Sequence, residues 1–418
     1  MKPISRFPLA IWISGAVALF ATAARGDLVM DWNAKADAIA IEKQLPNAPN
    51  ARGQAMLHIA MFEAVNAIDR RYAPYKLNLV ADRAASREAA AASAAYDVLL
   101  ALHPDRKSDL DATLAASLAG IADNEAKSKG IELGKQAAAG IIALRANDGS
   151  NTPESYRPVT TPGVYVPTAT PIESTSSKIT PFAMSSGSQF RPAPPPALTS
   201  ETWTRDLNEI REIGSSTSTK RSDEQTTTAR FWFFTGPRTY NTIVRQIASA
   251  RKMDLVDCAR LYALTSMAGT DAFIAVFDAK YTYNLWRPVT AIRNADLTSN
   301  PATPREASWL PLGTTPMHPE YPCAHCIVAS AVSTVLQNVV GNEIGEITLA
   351  SPTAPGVTRK WTRLQDYSDE VSNARIYAGF HYRFSTEAGK DMGKKIGDLT
   401  VATQMLGAGT VAAAQRKR

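Results

Sequence analysis

Apart from the closing "QRKR", the chain holds no block of three or more consecutive lysines and arginines. The run Leu9–Phe20 is too short to span a bilayer comfortably, and no other stretch is long and apolar enough to cross one. The first absence argues against a nucleic-acid interface, the terminal basic residues reading as a solvated tail. The second argues against a membrane span. Alternating strand patterns are scarce, and no internal repeat stands out. Only three cysteines and five histidines occur. Zinc would need two more ligands than Cys323 and Cys326, and no second pair exists at suitable spacing. Haem attachment needs a histidine directly after the second cysteine, where Ile327 stands.

What is present is an ordinary globular composition: 418 residues, 45% of them hydrophobic, enough for a large core and two to three domain-sized units. Lys2 and Arg6 precede the apolar run "LAIWISGAVALF", and small residues follow at Ala21 and Ala23, or Ala24 and Gly26. Residues 1–26 therefore read as a signal peptide, and the mature chain is expected to be exported, either periplasmic or secreted. Cleavage after Gly26 removes Lys2, Arg6 and Arg25 and no acidic residue, so the formal charge of +6 falls to +3.

Helical periodicity dominates and predicts an all-α protein of helical bundles. Leu57, Met61, Ala64, Val65 and Ile68 fall on one stripe, as do Leu110, Leu114, Leu118 and Ile121, and again Trp203, Leu207 and Ile210. "SDEQ" (Ser222 to Gln225) is a capping box predicted to open a helix carrying Phe231, Trp232 and Phe233. The spacing of Leu255, Cys258, Leu261 and Leu264 makes Cys258 a core filler. From Asn147 to Ser200 the rhythm stops: ten of the 26 prolines lie there, and "RPAPPPALTS" cannot be helical. Tyr156, Tyr165, Phe182 and Phe190 within it favour an ordered loop wrapping the helical body over a mobile linker. The expected organisation is an N-terminal helical half (27–200) ending in that loop (147–200), and a C-terminal half (201–418) carrying the chemistry.

Three elements gather that chemistry. "KYTYNLWRP" places Lys280 and Arg287 seven residues apart, two turns on one helix, where both can point at one spot. "HPEYPCAHC" puts Cys323, Ala324 and His325 in the first turn of a helix, whose free N–H groups and positive end form an anion site. In "ARIYAGFHYRFS", Arg375 and His381 would lie on different faces of an unbroken helix, and they converge only if it breaks, which Gly379 permits. The set suits a tetrahedral oxyanion: arginine forks and a lysine to hold oxygens, one histidine as nucleophile or ligand, the other as acid/base. Cys323-x-x-Cys326 is similar to the pair of exported thiol oxidants, but such pairs belong to folds with βαβ units. The anion-cradling reading is preferred, with a Cys323–Cys326 disulfide left open.

The ordered motifs Lys-x6-Arg-Pro, Pro-x-x-His and Arg-x5-His resemble the signature shared by vanadium-dependent haloperoxidases and type 2 phosphatidic acid phosphatases. "DWNAKADAIA", "MLHIAMFEAVNAID" and "FRPAPPPALTS" look like bacterial members of the haloperoxidase branch. The resemblance implies the helical-bundle fold of that superfamily and vanadate as cofactor, with phosphate a competitor. It implies that His381 binds vanadium, that Lys280, Arg287, Arg375, Cys323 and the Ala324 N–H hold oxygens, and that His325 is the acid/base. Hydrogen peroxide and halide would be the substrates. The alternatives are a phosphomonoester hydrolysed through attack by His381, or an oxyanion-binding homologue without turnover. A homo-oligomer is left open. The chain departs from the pattern at Cys323-Ala324 (usually Ser-Gly), at Ala374 (usually serine) and at Ser385 (often aspartate). The last leaves His381 without its expected carboxylate, a role for which Asp278 is the nearby candidate.

Overall fold

The computed structural model describes residues 27–409, so the expected signal peptide and the closing basic tail lie outside it. Among the described residues the fold is all-α but for one hairpin. Its first helices are α1 (Asp27–Glu42), α2 (Asn47–Asp69), α3 (Arg87–Leu102), α4 (Lys107–Ala119) and α5 (Glu125–Arg145). After the proline-rich stretch come α6 (Glu201–Ile213), α7 (Asp223–Phe231), α8 (Pro237–Ala250), α9 (Leu255–Tyr283) and the short α10 (Pro288–Arg293). The chain closes with α11 (Ala324–Val340), the strands β1 (Glu343–Ser351) and β2 (Ala354–Arg363), α12 (Leu364–Tyr377) and α13 (Arg383–Thr403).

The apolar stripes bury as their spacing requires. On α2, all five predicted core positions are at most 2% exposed, and on α6, Trp203, Leu207 and Ile210 are fully buried. Each such aliphatic side chain contributes about 1.5–3 kcal/mol. The stripe from Leu110 is weaker: only Leu110 is buried, and α4 ends before Ile121. Ser222 caps α7 in a complete capping box, but the helix stops at Phe231, so Trp232 and Phe233 lie beyond its end rather than on it. Cys258 sits in the core, as its spacing predicts.

α9 is buried nearly all round because α2, α11 and α13 pack on it. α11 and α13 approach closely along Gly389, Gly393 and Gly397, where a Cβ on Gly393 would stand 2.3 Å from the Ile327 carbonyl oxygen. Only glycine allows that spacing, and it fixes the start of α11 against α13.

Residues 147–200 form no α-helix, and their main chain is tied to the helical body. Asp271 of α9, fully buried, accepts the N–H groups of Phe182, Ala183 and Met184 at 2.7–2.9 Å. Tyr165 N–H donates to the Asn284 carbonyl at 2.8 Å and Ile172 N–H to that of Met317 at 2.9 Å. Tyr165 and Phe182 are buried.

The antiparallel hairpin of β1 and β2 was not expected from the sequence. Ile347 and Leu349 alternate toward the core, but the register shifts between Glu343 and Ile347, around Gly345 at φ +73°, and again between Ala350 and Ser351. The hairpin matters to the site. Glu370 on α12 accepts from Trp361 Nε1 of β2 at 3.1 Å and from Trp232 Nε1 at 2.8 Å, fixing Trp232 beside the pocket described next.

Candidate active site

Lys280 lies in the last turn of α9, and Arg287 does not share that helix. Asn284 ends α9 in the left-handed conformation (φ 50°), and Arg287 is the extended residue before Pro288. A residue preceding proline is disfavoured in α conformation, which is why two turns of one helix was the wrong geometry. The side chains still converge, by a turn rather than by periodicity. Both are buried and repel one another.

Lys280 Nζ donates to the carbonyls of Pro319 (2.9 Å) and Glu320 (2.7 Å), leaving one of its three N–H groups unassigned. Arg287 donates through Nε to the His318 carbonyl (2.8 Å) and through Nη1 to that of Phe380 (3.0 Å), with Nη1 also 3.3 Å from His381 Nε2. Its Nη2 is 3.0 Å from His318 Nδ1. Arg375 donates through Nη1 to the Trp232 carbonyl at 2.6 Å, while its Nε and Nη2, both buried, meet no protein acceptor.

The break between Arg375 and His381 occurs as expected. α12 ends at Tyr377, and Gly379 takes φ +79°, where a Cβ would also lie 2.5 Å from the Gly214 carbonyl oxygen. His381 is thereby turned back toward Arg287. Its Nδ1 lies 2.8 Å from Glu320 Oε1, an oxygen that also accepts the Tyr382 N–H at 3.1 Å. Oε1 is thus an acceptor, Nδ1 carries the proton, and Nε2 keeps its lone pair beside Arg287.

Glu320, fully buried, is therefore the carboxylate behind His381. Asp278 is not: it pairs in bidentate fashion with Arg191 at 2.7 and 2.9 Å. Ser385, fully buried, neighbours Glu320, so an aspartate at 385 would set a second carboxylate against the first. Sequence reasoning missed Glu320. The available signal was its isolation as the only acidic residue between Glu306 and Glu343, within "HPEYPCAH".

Cys323 is the N-cap of α11, with Ala324 and His325 its first two helical residues, so their N–H groups fall outside the helical ladder. Cys323 Sγ accepts the Cys326 N–H at 3.2 Å and is joined to Cys326 in a disulfide. In that form it has no proton to donate, so the expected oxygen contact from a Cys323 thiol is not provided. His325 lines the adjoining cavity, and its Nε2 is shielded from solvent and has no protein partner.

Burial first, then mutual repulsion, governs the electrostatics. Burial and the neighbouring Arg287 hold Lys280 well below its usual range, and Arg375 is brought down to about 9 by the same causes. Burial lowers Arg287 to about 10. His325 and His381 are held well below the usual imidazole range, by burial and then by the surrounding cations, so both are neutral at physiological pH. Burial raises Glu320 to about 7 against the pull of Lys280 and Arg287.

The family model for the second helical-bundle domain of vanadium chloroperoxidase matches residues 260–406, the span holding all three motifs. Vanadium chloroperoxidase of Curvularia inaequalis is 27% identical in an alignment covering 42% of this chain and 38% of that one, so the chain spans well under half of that relative's length. The crystal structure of a bacterial vanadium-dependent iodoperoxidase superposes with a TM-score of 0.79 at 26% identity, covering 92% of this chain and 98% of the other. A holo bacterial vanadium-dependent chloroperoxidase shares the fold, with a TM-score of 0.67 at 18% identity over 85% of this chain and 92% of that one. Its motifs lie inside the matched domain and its fold is shared along nearly the whole described length, likenesses that support the vanadium haloperoxidase superfamily.

Proposed function

We propose that the protein is an exported vanadate-dependent haloperoxidase that oxidises halide with hydrogen peroxide. The observation that carries the reading is the charge imbalance of the pocket. Lys280, Arg287 and Arg375 are buried around a single carboxylate, Glu320, and Arg375 Nε and Nη2 have no protein partner. Buried donors and cations in excess call for an acceptor-only dianion, and a tetrahedral oxyanion such as vanadate fits that need.

In this reading Lys280, Arg287 and Arg375, with the N–H groups of Ala324 and His325, hold the anion's oxygens, and His381 Nε2 supplies the ligand lone pair. Bound vanadate supplies the activation of hydrogen peroxide toward halide. Glu320 fixes the His381 tautomer and ring orientation through Nδ1. His325, neutral beside the buried cations, takes and returns protons at Nε2. The preorganised cations stabilise charge with little reorganisation, because carbonyls of Pro319, Glu320, His318, Phe380 and Trp232 already fix them. The Cys323–Cys326 pair suits an oxidising compartment.

The test is bromination of a dimedone-type acceptor by protein reconstituted with orthovanadate in phosphate-free buffer, run beside hydrolysis of p-nitrophenyl phosphate without vanadate. Vanadate- and peroxide-dependent bromination supports the proposal. Hydrolysis inhibited by vanadate, with no bromination, replaces it with the phosphatase reading.

A further inference from the structure

Among the described residues no carboxylate pairs with Arg375, and the acceptor that holds its guanidinium is the Trp232 carbonyl, 2.6 Å from Nη1. The Phe380 ring lies 4.8 Å from the guanidinium carbon, and Phe233 packs on that ring at 5.6 Å. A guanidinium is a rigid planar fork. The directions of Nε and Nη2, the two donors left for an oxyanion, are therefore set by where the Trp232 carbonyl stands.

That carbonyl has no place in a helical ladder. Trp232 is the C-cap of α7, so its oxygen must find a donor elsewhere. The two preceding carbonyls are taken by the hairpin turn: the Ser351 hydroxyl donates to Phe231 and the Thr353 hydroxyl to Arg230, each at 2.7 Å. The Trp232 indole is gripped by Glu370. Its Nε1 donates to Glu370 Oε1 at 2.8 Å, Trp361 Nε1 of β2 donates to Oε2 at 3.1 Å, and Arg359 pairs with both oxygens at 2.6 and 3.1 Å. The Glu370 and Arg359 side chains are only 20% and 16% exposed, so the pair is not of the freely solvated kind that contributes little. Glu370 and Arg375 are five residues apart on α12, which turns them roughly 140° from one another. One helix thus holds Trp232 at both ends, the indole through Glu370 and the carbonyl through Arg375.

We propose that Glu370 is a positioning residue of the anion site: acting through Trp232, it sets the angle at which Arg375 presents Nε and Nη2 to a bound oxyanion, with the β1–β2 hairpin as its support. The inference rests on the anion-site reading of the pocket and not on the peroxide chemistry. It gives the hairpin, which touches none of the proposed anion-holding groups, a part in recognition.

The experiment uses the full chain, with orthovanadate and, separately, phosphate as probes in calorimetric titration. Glu370→Gln turns an amide N–H group toward indole and guanidinium donors, and is expected to weaken both anions about tenfold. Trp232→Phe removes the indole donor while leaving Glu370 paired with Arg359 and Trp361, and should give a loss of similar size. The deciding arm is a double-mutant cycle. In the Arg375→Lys background, where the fork is gone, either substitution should change affinity by less than about twofold. A purely structural role for Glu370 would subtract the same factor in both backgrounds. Circular dichroism and melting curves report whether each variant folds; should Glu370→Gln fail to fold, the cycle of Trp232→Phe with Arg375→Lys decides alone. Folded variants that bind within about twofold of the wild type, or equal losses in both Arg375 backgrounds, overturn the proposal. Absence of anion binding by the wild type removes the anion-site reading and this inference with it, whereas wild-type binding without the coupling removes this inference only.

Discussion

Arg375 offers the sharpest perturbation of the pocket. It is fully buried, and no carboxylate pairs with it. Of its donors, Nη1 is used by the Trp232 carbonyl at 2.6 Å, and the guanidinium carbon lies 4.8 Å from the centre of the Phe380 ring. Nε and Nη2 are the pair left over. Arg375→Lys keeps the charge and can return one donor, so one charge-assisted hydrogen bond to a bound oxyanion is lost. At about 1.5–3 kcal/mol for such a bond, orthovanadate and phosphate should bind roughly 10- to 150-fold more weakly. Isothermal titration of both anions against wild type and variant measures this, with circular dichroism confirming that the variant folds. Phosphate should also raise the melting temperature of the wild type more than that of the variant. A variant affinity within about twofold of wild type, far below the loss expected for one charge-assisted bond, would refute the reasoning. Arg375 would then be a structural cation held by Trp232 and Phe380.

Three further outcomes follow from other contacts. Glu320→Gln removes the charge behind His381 and should lower vanadate affinity about 10- to 100-fold in titration while leaving the helical spectrum intact; unchanged affinity would reduce Glu320 to a space-filling role. Cys323→Ser keeps an N-cap acceptor for the Cys326 N–H and adds a hydroxyl donor, so anion affinity should hold or rise and become insensitive to dithiothreitol. Abolished activity in that variant would instead revive a chemical role for the thiol. His58, buried between Asn33 and Ser266, is held down to about 3 by burial and then by Arg245. Asn33 Oδ1 accepts from Arg245, so its Nδ2 donates to His58 Nε2, and the ring is neutral with its proton on Nδ1. Because the folded pKa lies below the unfolded value, this stability is complete above about pH 6.5 and is lost as pH falls toward 3, by about 2 kcal/mol at pH 5. Urea unfolding from pH 7 to 4 should show that slope in the wild type and a shallower one in His58→Gln; equal slopes would remove His58 from the acid limb.

The fold class and the gathering of Lys280, Arg287, His325, Arg375 and His381 were legible because they rest on periodicity and on three ordered motifs. The break at Gly379 was legible because only glycine is at ease at φ +79° there. Other features depend on partners remote in sequence. Glu320 becomes the His381 partner only when the start of α11 packs beside the α12–α13 turn, which no local spacing encodes. The left-handed cap at Asn284 ends α9 before Arg287, and the proline at 288 was the clue to it. The hairpin hides because its apolar alternation survives over Ile347 and Leu349 alone before a bulge interrupts it. That residues 147–200 bind α9 through Asp271 is again a tertiary fact, although Tyr165 and Phe182 hinted at burial.

The claim at the centre of this account is that the buried cations and His381 hold vanadate. The most direct measurement is the anomalous scattering of vanadium in crystals soaked with orthovanadate in phosphate-free solution. The prediction is a single strong peak bonded to His381 Nε2 and surrounded by Lys280, Arg287 and Arg375, absent from crystals of His381→Ala. A peak elsewhere, or no peak in well-ordered wild-type crystals, would contradict it.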